Sequence, residues 1–205
     1  LLRHTSGLTY GAPLNDKTTV QKMYKDAGLG LTATSLDDFV KALAKLPLQW
    51  EPGTTYEYSY STDVLGRVVE VASGKNLDQF LRERILAPLK MNDTAFILPS
   101  EKLSRMAEPQ PNRETGAKQV LLDFTKPTNF FAGGHGLVST AGDYIRFCQM
   151  MLNGGELKAR GYWAPGQWPI WRRTMSGRIS AWARCGIRVT AMVSDWASRC
   201  VKKTA

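Results

Sequence analysis

The sequence predicts a mostly helical body over residues 1–157, followed by a tail, residues 158–205, of different composition. The body contains several amphipathic segments that begin at a capping residue and end at glycine or proline. It balances 17 Lys and Arg against 17 Asp and Glu, whereas the tail holds 10 basic residues and one acidic residue. Five of the six tryptophans also lie in the tail. The net charge of +9 therefore belongs to one short segment, and the body has the charge balance of an ordinary globular domain.

The first predicted helix covers residues 36–46. Ser35 is placed as its N-cap, and Asp37 and Asp38 stand in the first turn, where negative charge interacts favourably with the helix dipole. Pro47 follows the last residue and prevents the helix from continuing. The face expected to contact the core contains Phe39, Leu43 and Leu46.

Two further helices are predicted over residues 62–72 and 77–85. Gly74 is placed to end the first of them in the left-handed conformation. Asn76 is placed to cap the second, and Pro88 stops it. The first of these helices presents a set of apolar side chains for burial: Val64, Leu65, Val68, Val69 and Val71.

A long connector, residues 92–132, follows and contains four prolines. We expect it to be irregular, and a loop of this length in a compact domain tends to be functional or mobile. The last predicted helix covers residues 141–152, with Thr140 as its N-cap and Asp143 in the position of a capping box. The side chains expected to be buried on it are Tyr144, Phe147, Cys148 and Met151.

Three short sequence patterns stand at the edges of these helices. They are His4-Thr5-Ser6-Gly7-Leu8, Tyr58-Ser59-Tyr60-Ser61-Thr62-Asp63-Val64-Leu65-Gly66, and Gly133-Gly134-His135-Gly136-Leu137-Val138-Ser139-Thr140. In this order and wording the chain resembles the serine β-lactamase-like hydrolases, which comprise the class C β-lactamases, relatives of the penicillin-binding proteins and the family VIII carboxylesterases. The resemblance covers residues 1–157 and is closest to the esterase branch.

The resemblance implies an α+β fold of the β-lactamase/transpeptidase type. In that fold a helical lobe packs on an antiparallel sheet built from both chain ends, and the active site lies between them. Residues 1–157 are therefore expected to be a partial domain, mostly the helical lobe, with the sheet-forming ends missing or out of frame.

The family chemistry starts from a Ser-x-x-Lys pair, in which the lysine activates the serine for acyl transfer. No serine of this chain has a lysine three residues later. Because the chain opens on Leu1 rather than on an initiator methionine, we expect it to be a fragment whose nucleophile lies before its first residue.

Tyr58 is the candidate catalytic residue. The resemblance aligns it with the tyrosine of the family's second motif, and a tyrosine whose pKa is lowered by a lysine cation can carry a proton between nucleophile and leaving group. The alternative is a packing tyrosine in an aromatic turn.

Tyr60 and His135 are the candidate substrate-binding residues. Tyr60 stands where the related β-lactamases carry Asn, which favours an esterase pocket, and His135 aligns with a pocket-lining tyrosine of the class C enzymes. The alternative for His135 is a turn residue between glycines.

Four neighbouring side chains are assigned structural roles. His4 is expected to bond to carbonyl groups at the end of the helix-like start, residues 1–3. Asp63 is expected to be a first-turn helix charge or a support for the Tyr58 loop. Ser59 and Ser61 are expected to be turn and cap residues rather than nucleophiles.

The tail admits three interpretations. Arginines interleaved with tryptophans favour an arm that binds nucleic acid or a membrane. Alternatively, natural selection never acted on these residues as a protein sequence. The third interpretation is a frameshift, in which the tail is the family's own sequence translated out of frame. When the last base of each codon from Thr190 to Lys203 is joined to the first two bases of the next, allowed codons give Gly-Tyr-Gly-Phe-Gly-Leu-Gly-Phe-Ala-Val-Arg-Glu-Glu, which resembles the strand expected downstream in the esterase branch. We therefore predict that residues 158–205 are a frameshifted, non-native tail, with the slip close to Lys158.

The expected function is acyl hydrolysis of the carboxylesterase type, through an acyl-enzyme on the missing serine, in a bacterial protein. Two alternatives stay open: a β-lactamase or D,D-peptidase that acts on amides, and a non-catalytic relative that binds ligand. The expected partner is a small-molecule ester or amide. Once the tail is set aside we expect no nucleic acid, no membrane, no cofactor and no metal, since no apolar run approaches the roughly 20 residues of a membrane helix and no metal-ligand spacing is present. Oligomeric state and compartment, cytoplasm or periplasm, stay open.

Overall fold

The computed structural model describes residues 1–11, 14, 17–29, 34–118, 123–157 and 160–161. The chain divides into two compact units, Leu1–Arg146 and Phe147–Ala205. In the second unit the described residues comprise the end of a helix and two short antiparallel strands, Glu156–Leu157 and Arg160–Gly161. The tail tryptophans lie outside the described residues.

Helices make up most of the regular secondary structure in the described part of the chain, as the sequence predicts. Its α-helices are α1 Thr19–Asp26, α2 Leu36–Leu43, α3 Ser61–Ser73, α4 Leu77–Leu81 and α5 Ala141–Leu152. A π-helical turn, Arg82–Leu86, continues α4. A 3₁₀ turn, Ser100–Arg105, lies within the connector that was expected to be irregular. Among the helices of the described residues, none has the length and apolarity that spanning a membrane requires.

The predicted helix caps are present. The side chains of Ser35, Asn76 and Thr140 each accept a hydrogen bond from the backbone N–H three residues later, at 3.1, 2.8 and 3.2 Å. Gly74 ends α3 with a φ of +68°, a conformation that glycine adopts without a Cβ penalty. These termini depend on neighbouring residues alone, which is why the sequence predicts them well.

Helix α1 is absent from the sequence prediction, although its start carries a recognisable signal. The Thr18 hydroxyl accepts a hydrogen bond from the Gln21 N–H, and the Gln21 side chain accepts one from the Thr18 N–H, both at 3.1 Å. This is a capping box, and the pattern Thr-x-x-Gln in the sequence predicts it. The helix buries Tyr24, whose hydroxyl donates to the carbonyl of Pro47.

Three side chains predicted to be buried are instead at the surface. Val68 and Val71 of α3 are exposed, the latter by 68%, and Tyr144 of α5 is 60% exposed. Helix α3 buries the opposite, small and polar face, which contains Asp63 and Gly66. The prediction is wrong at these three positions, whereas Val64 and Val69 of α3 are partly buried and pack against the core. Contacts with distant segments decide which side of a short helix is covered.

Asp143, at the start of α5, is buried and bonds across to the connector. Its carboxylate accepts hydrogen bonds from the Asp93 N–H at 2.7 Å and the Thr94 hydroxyl at 2.8 Å. Nearby, Ala95 and Val138 form an antiparallel bridge with bonds of 3.0 and 2.9 Å. The connector is thereby attached to the segment that follows His135.

Two apolar clusters lie among the described residues of the first unit. One joins α2 and α4 to the connector and contains Leu36, Leu77, Phe96 and Phe131. The other lies between α1 and α2 and contains Tyr24, Phe39 and Leu43, with Leu46, Tyr60 and Val64 packed against it. The predicted core face of α2 is thus confirmed.

The segment 133–135 lies directly on the first turn of α3. A Cβ atom built on Gly133 would stand 2.1 Å from the carbonyl oxygen of Thr62, and one on Gly66 would stand 3.1 Å from the Cα of Gly133. Only residues without a side chain permit this approach. It brings His135 next to the start of the helix that follows Tyr58.

Candidate active site

Tyr58 lies immediately before α3, with its side chain half in solvent. Its exposed fraction is 54%. One face of the ring packs near the imidazole of His4, with centroids 4.9 Å apart, and the ring of Tyr10 lies 5.3 Å away. The phenol is therefore supported by two rings while remaining accessible to a bound molecule.

The residue before Tyr58 is held by three side chains. The Glu57 carboxylate accepts hydrogen bonds from the hydroxyl of Thr9, the amide of Gln21 at 3.2 Å and the indole N–H of Trp50. These donors come from the chain start, from α1 and from the turn after α2. The backbone that carries Tyr58 is thus tied to three separate segments.

His4 holds the residue after Tyr58. Its Nδ1 atom accepts a hydrogen bond from the Ser59 N–H at 3.2 Å, and its carbonyl oxygen accepts one from the Glu57 N–H at 2.9 Å. The expectation that the His4 side chain bonds to carbonyl groups is therefore wrong. The imidazole accepts a hydrogen bond from a backbone amide, that of Ser59, instead.

Three serine hydroxyls form a chain beneath this segment. Ser6 and Ser61 are 2.7 Å apart, and Ser61 and Ser59 are 2.8 Å apart, oxygen to oxygen. Ser59 and Ser61 are fully buried, so a substrate cannot reach them in this arrangement. The geometry supports the interpretation that they are structural residues rather than nucleophiles.

Tyr60 is partly buried and packs against the core cluster of α1 and α2. Its ring lies 4.3 Å from Tyr10, 5.2 Å from Phe39 and 6.4 Å from Tyr24, centroid to centroid. Burial, followed by the charge of Asp63, raises the pKa of Tyr60. A role of Tyr60 in substrate binding stays a prediction.

Tyr10 contacts both Tyr58 and Tyr60, although the sequence patterns did not indicate it as a site residue. Its ring contacts both Tyr58 and Tyr60, and burial together with the nearby Asp63 charge raises its pKa. Its only sequence signal is its place four residues after Ser6 in the first pattern, which does not reveal a contact with residues 48 and 50 positions away.

Asp63 and His135 lie together at the start of α3. Asp63 is 1% exposed, and its Oδ1 accepts the Gly134 N–H at 3.0 Å. His135 Nδ1 is 3.8 Å from the same oxygen, and its side chain is mostly exposed. Asp63 Oδ2 has no hydrogen-bond partner among the described residues. Asp63 is thus a first-turn charge, as expected, and it also fixes the glycine-rich loop.

Comparison with known proteins identifies the family. The family model described as Beta-lactamase matches residues 1–190. This chain belongs to the β-lactamase family. Two curated relatives of this β-lactamase family chain are protein Rv1367c of Mycobacterium tuberculosis, 34% identical over 160 residues, and esterase EstB of Burkholderia gladioli, 30% identical over 165 residues. The matches cover 77% and 71% of this chain but 39% and 42% of the relatives, so it spans about two fifths of their length.

The fold agrees with this assignment. The solved structure of simvastatin synthase LovD from Aspergillus terreus matches with a TM-score of 0.55 and 29% identity, over 76% of this chain and 37% of that one. The fold is of the β-lactamase/transpeptidase type, and the described residues form mostly its helical part. No group of three or more His, Cys, Asp or Glu suited to hold a metal ion occurs among the residues that the structure describes.

Substitution of Asp63 by asparagine is expected to stabilise this β-lactamase family chain at neutral pH. Burial is the main cause that raises the pKa of Asp63, outweighing the Gly134 N–H and His135. An acidic group whose pKa is higher in the folded state than in the unfolded state contributes stability at pH values below its unfolded-state pKa. This contribution is lost as the pH rises through the folded-state pKa. We therefore expect Asp63→Asn to have a higher melting temperature than the parent at pH 7.5. The expected gain in unfolding free energy is on the order of 1 kcal/mol, and it should shrink towards pH 4.

Asp143→Asn is the matched control for this measurement. Asp143 is also a buried first-turn aspartate, but its carboxylate accepts two hydrogen bonds. Hydrogen bonds to a charged acceptor are stronger than those to a neutral one, so this substitution should lower the melting temperature at pH 7.5. A loss of stability in Asp63→Asn equal to that of Asp143→Asn would mean that Asp63 Oδ2 is bonded.

Proposed function

We propose that this chain is part of a serine hydrolase that cleaves small carboxylic esters through an acyl-enzyme. The observation that carries the proposal is the setting of Tyr58: its ring is half exposed, while the residues on both sides are bonded to other segments. A phenol on a backbone held in this way is suited to exchange a proton with a bound reactant. Similarity to the esterase EstB supports an ester as the substrate.

The proposed nucleophile belongs to a Ser-x-x-Lys pair that is not among these 205 residues. Its serine oxygen attacks the ester carbonyl carbon, and the serine proton passes to the Lys–Tyr58 pair. The carbon–oxygen bond to the alcohol then breaks, and the same proton moves through Tyr58 to the departing alkoxide. Water attacks the acyl-enzyme in the reverse sense, which releases the carboxylic acid and restores the serine. Backbone amides stabilise the oxyanion formed in each half-reaction.

Tyr60 and His135 take the substrate-binding roles in this proposal. In this role the imidazole of His135 donates a hydrogen bond to a substrate carbonyl, and its exposure beside the buried Asp63 carboxylate supports the role. Tyr60 contributes through its ring, which packs against Tyr10. Both roles are consistent with a small ester as the ligand.

Two alternatives differ from the ester proposal in substrate or in chemistry. A β-lactamase or D,D-peptidase would use the same acyl-enzyme on an amide, and the family assignment keeps this alternative open. A non-catalytic relative would bind ligand without turnover. Faster hydrolysis of nitrocefin than of a p-nitrophenyl ester favours the first alternative, and saturable binding without turnover favours the second.

The 205-residue chain alone is expected to show no burst and no turnover with p-nitrophenyl acetate or nitrocefin, because it offers no acyl-accepting Ser-x-x-Lys serine. A longer protein, in which a Ser-x-x-Lys segment precedes residue 1 and the family frame continues after Leu157, should hydrolyse the ester. Its serine-to-alanine variant is the control. Saturable turnover by the 205-residue chain, above a denatured sample, would contradict the proposal.

We also infer that residues 158–205 are translated out of frame, which assigns the native domain to residues 1–157. The support is the out-of-frame translation of Thr190 to Lys203. The family match reaches residue 190 and therefore marks no boundary at residue 158. Sequencing the locus through this region tests the inference, since an uninterrupted family frame in the DNA after Leu157 supports it, whereas a frame that encodes the tail without a slip contradicts it.

A further inference from the structure

His4 contacts three consecutive residues, Glu57, Tyr58 and Ser59. Its carbonyl oxygen accepts the Glu57 N–H at 2.9 Å, and its ring Nδ1 accepts the Ser59 N–H at 3.2 Å. Between these two bonds, its imidazole lies 4.9 Å from the ring of Tyr58, centroid to centroid, at an angle of 42°. One residue from the chain start thus holds both neighbours of Tyr58 and the face of its ring.

The backbone of His4 is in a conformation that histidine adopts rarely. Its φ is +51°, in the left-handed region, and its N–H closes a turn onto the carbonyl of Leu1 at 2.9 Å. For a residue other than glycine this conformation costs on the order of 1 kcal/mol, although histidine, like asparagine and aspartate, adopts it more often than most residues do. Such conformations are enriched at functional sites, and from this backbone the side chain of His4 bonds to the Ser59 N–H.

The contact with Ser59 defines the chemical form of the imidazole. A ring nitrogen that accepts a hydrogen bond carries no proton, so His4 is neutral with its proton on Nε2. Burial lowers the pKa of His4, the Leu1 amino group acts in the same direction, and Asp63 opposes them. The neutral form required by the geometry is therefore the favoured one.

We propose that His4 is a positioning residue for Tyr58, which it holds through the Ser59 amide and through ring contact. The inference rests on the proposed function of Tyr58 as the proton carrier. His4 touches neither substrate nor nucleophile in this role. It fixes the direction of the phenol, and a small misplacement of such a group costs a large factor in rate.

Three substitutions separate the two contacts. Asparagine keeps an acceptor atom at the position of Nδ1 and tolerates the left-handed backbone, but it lacks the ring. Phenylalanine keeps a ring without an acceptor, and glycine keeps only the backbone tolerance. In the longer, active protein we expect His4→Gly and His4→Phe to lower kcat on a p-nitrophenyl ester by about 10- to 100-fold, with KM changed by less than about 3-fold. His4→Asn should recover most of this loss.

The double variant His4→Gly/Tyr58→Phe distinguishes positioning from general damage. If His4 acts through Tyr58, the double variant should be no slower than Tyr58→Phe alone, because groups that act as a unit are not additive. Additive losses would overturn the proposal. Equal kcat for the Asn and Phe variants would overturn the role of the Ser59 bond, and this comparison remains decisive if the glycine variant fails to fold.

Magnetic resonance on the 205-residue chain tests the geometry independently of activity. The ¹⁵N spectrum of His4 should show the neutral Nε2–H tautomer, and the Ser59 amide should exchange faster in His4→Phe than in His4→Asn. The Nδ1–H tautomer, or equal exchange in the two variants, would contradict the positioning proposal. If these results hold but Tyr58→Phe is fully active, the proposed function fails while the His4 contact stands.

Discussion

Replacement of Tyr58 by phenylalanine is expected to lower kcat by about 10²-fold or more in a longer protein that carries the Ser-x-x-Lys segment and the family frame after Leu157. General acid–base catalysis typically contributes about 10²- to 10⁴-fold, and the substitution removes only the proton-carrying oxygen. The ring contacts with His4 and Tyr10 remain, so the fold should be retained. Steady-state kinetics on a short-chain p-nitrophenyl ester measure the effect.

Tyr60→Phe is the control two residues away. It also removes one phenolic oxygen from a ring that keeps its packing, but this ring faces the core cluster of α1 and α2. We expect its kcat to fall far less, by no more than about 10-fold. If the two substitutions behave alike, or if Tyr60→Phe is the more damaging, the assignment of Tyr58 as the proton carrier is wrong.

Replacement of Gly133 by alanine is expected to destabilise the first unit by about 3 kcal/mol or more. The new Cβ would stand 2.1 Å from the carbonyl oxygen of Thr62 and 3.1 Å from the nitrogen of Gly66. Both obstacles are backbone atoms of α3 that cannot rotate aside, so the loop and the helix must separate. Thermal unfolding of the 205-residue chain should show a melting temperature lower by roughly 10 °C.

Gly142→Ala provides the same chemical change without the obstacle. Among the described residues, a Cβ there, in the first turn of α5, meets only the Thr140 hydroxyl, at 3.9 Å. Alanine in a helix is favoured over glycine, so this variant should gain about 0.5–1 kcal/mol. Opposite signs for the two variants are expected, and a loss of less than about 1 kcal/mol for Gly133→Ala would show that the close approach is absent.

Local features of the fold were predictable from the sequence. The caps at Ser35, Asn76 and Thr140 and the left-handed Gly74 depend on atoms within a few residues, and the residue types alone indicate them. The same signal was present at Thr18 for α1, so the omission of that helix was a missed pattern rather than a physical limit.

Burial of individual helix faces was harder to predict. Val71 and Tyr144 are apolar or aromatic at helical spacing, yet both are exposed. The covering of a short helix depends on which distant segment packs on it, and α3 is covered by a glycine-rich loop that accommodates polar and small side chains. A hydrophobic pattern identifies the apolar side chains of a helix, whereas tertiary contacts determine which of these side chains are buried.

The candidate site likewise contains some residues that the sequence motifs indicate and others that only the structure identifies. Tyr58, Tyr60 and His135 were selected from motifs, and the structure places all three around the start of α3, although their roles stay predictions. His4 and Tyr10 acquire their contacts with Tyr58 across about 50 residues of chain. No spacing rule connects residues so far apart, so their part in the site follows from the three-dimensional structure alone.

The bonds that build this site also determine when it forms. His4 bonds to Ser59 and Ser6 to Ser61 across 55 residues, and Asp63 bonds to Gly134 across 71 residues. Closing such loops costs chain entropy before the contacts are gained, and distant contacts slow folding. During synthesis Asp63 leaves the ribosome 71 residues before its partner. We therefore expect the capped helices to form early, and the bond between Asp63 and Gly134 to form only after the glycine-rich loop has been synthesised.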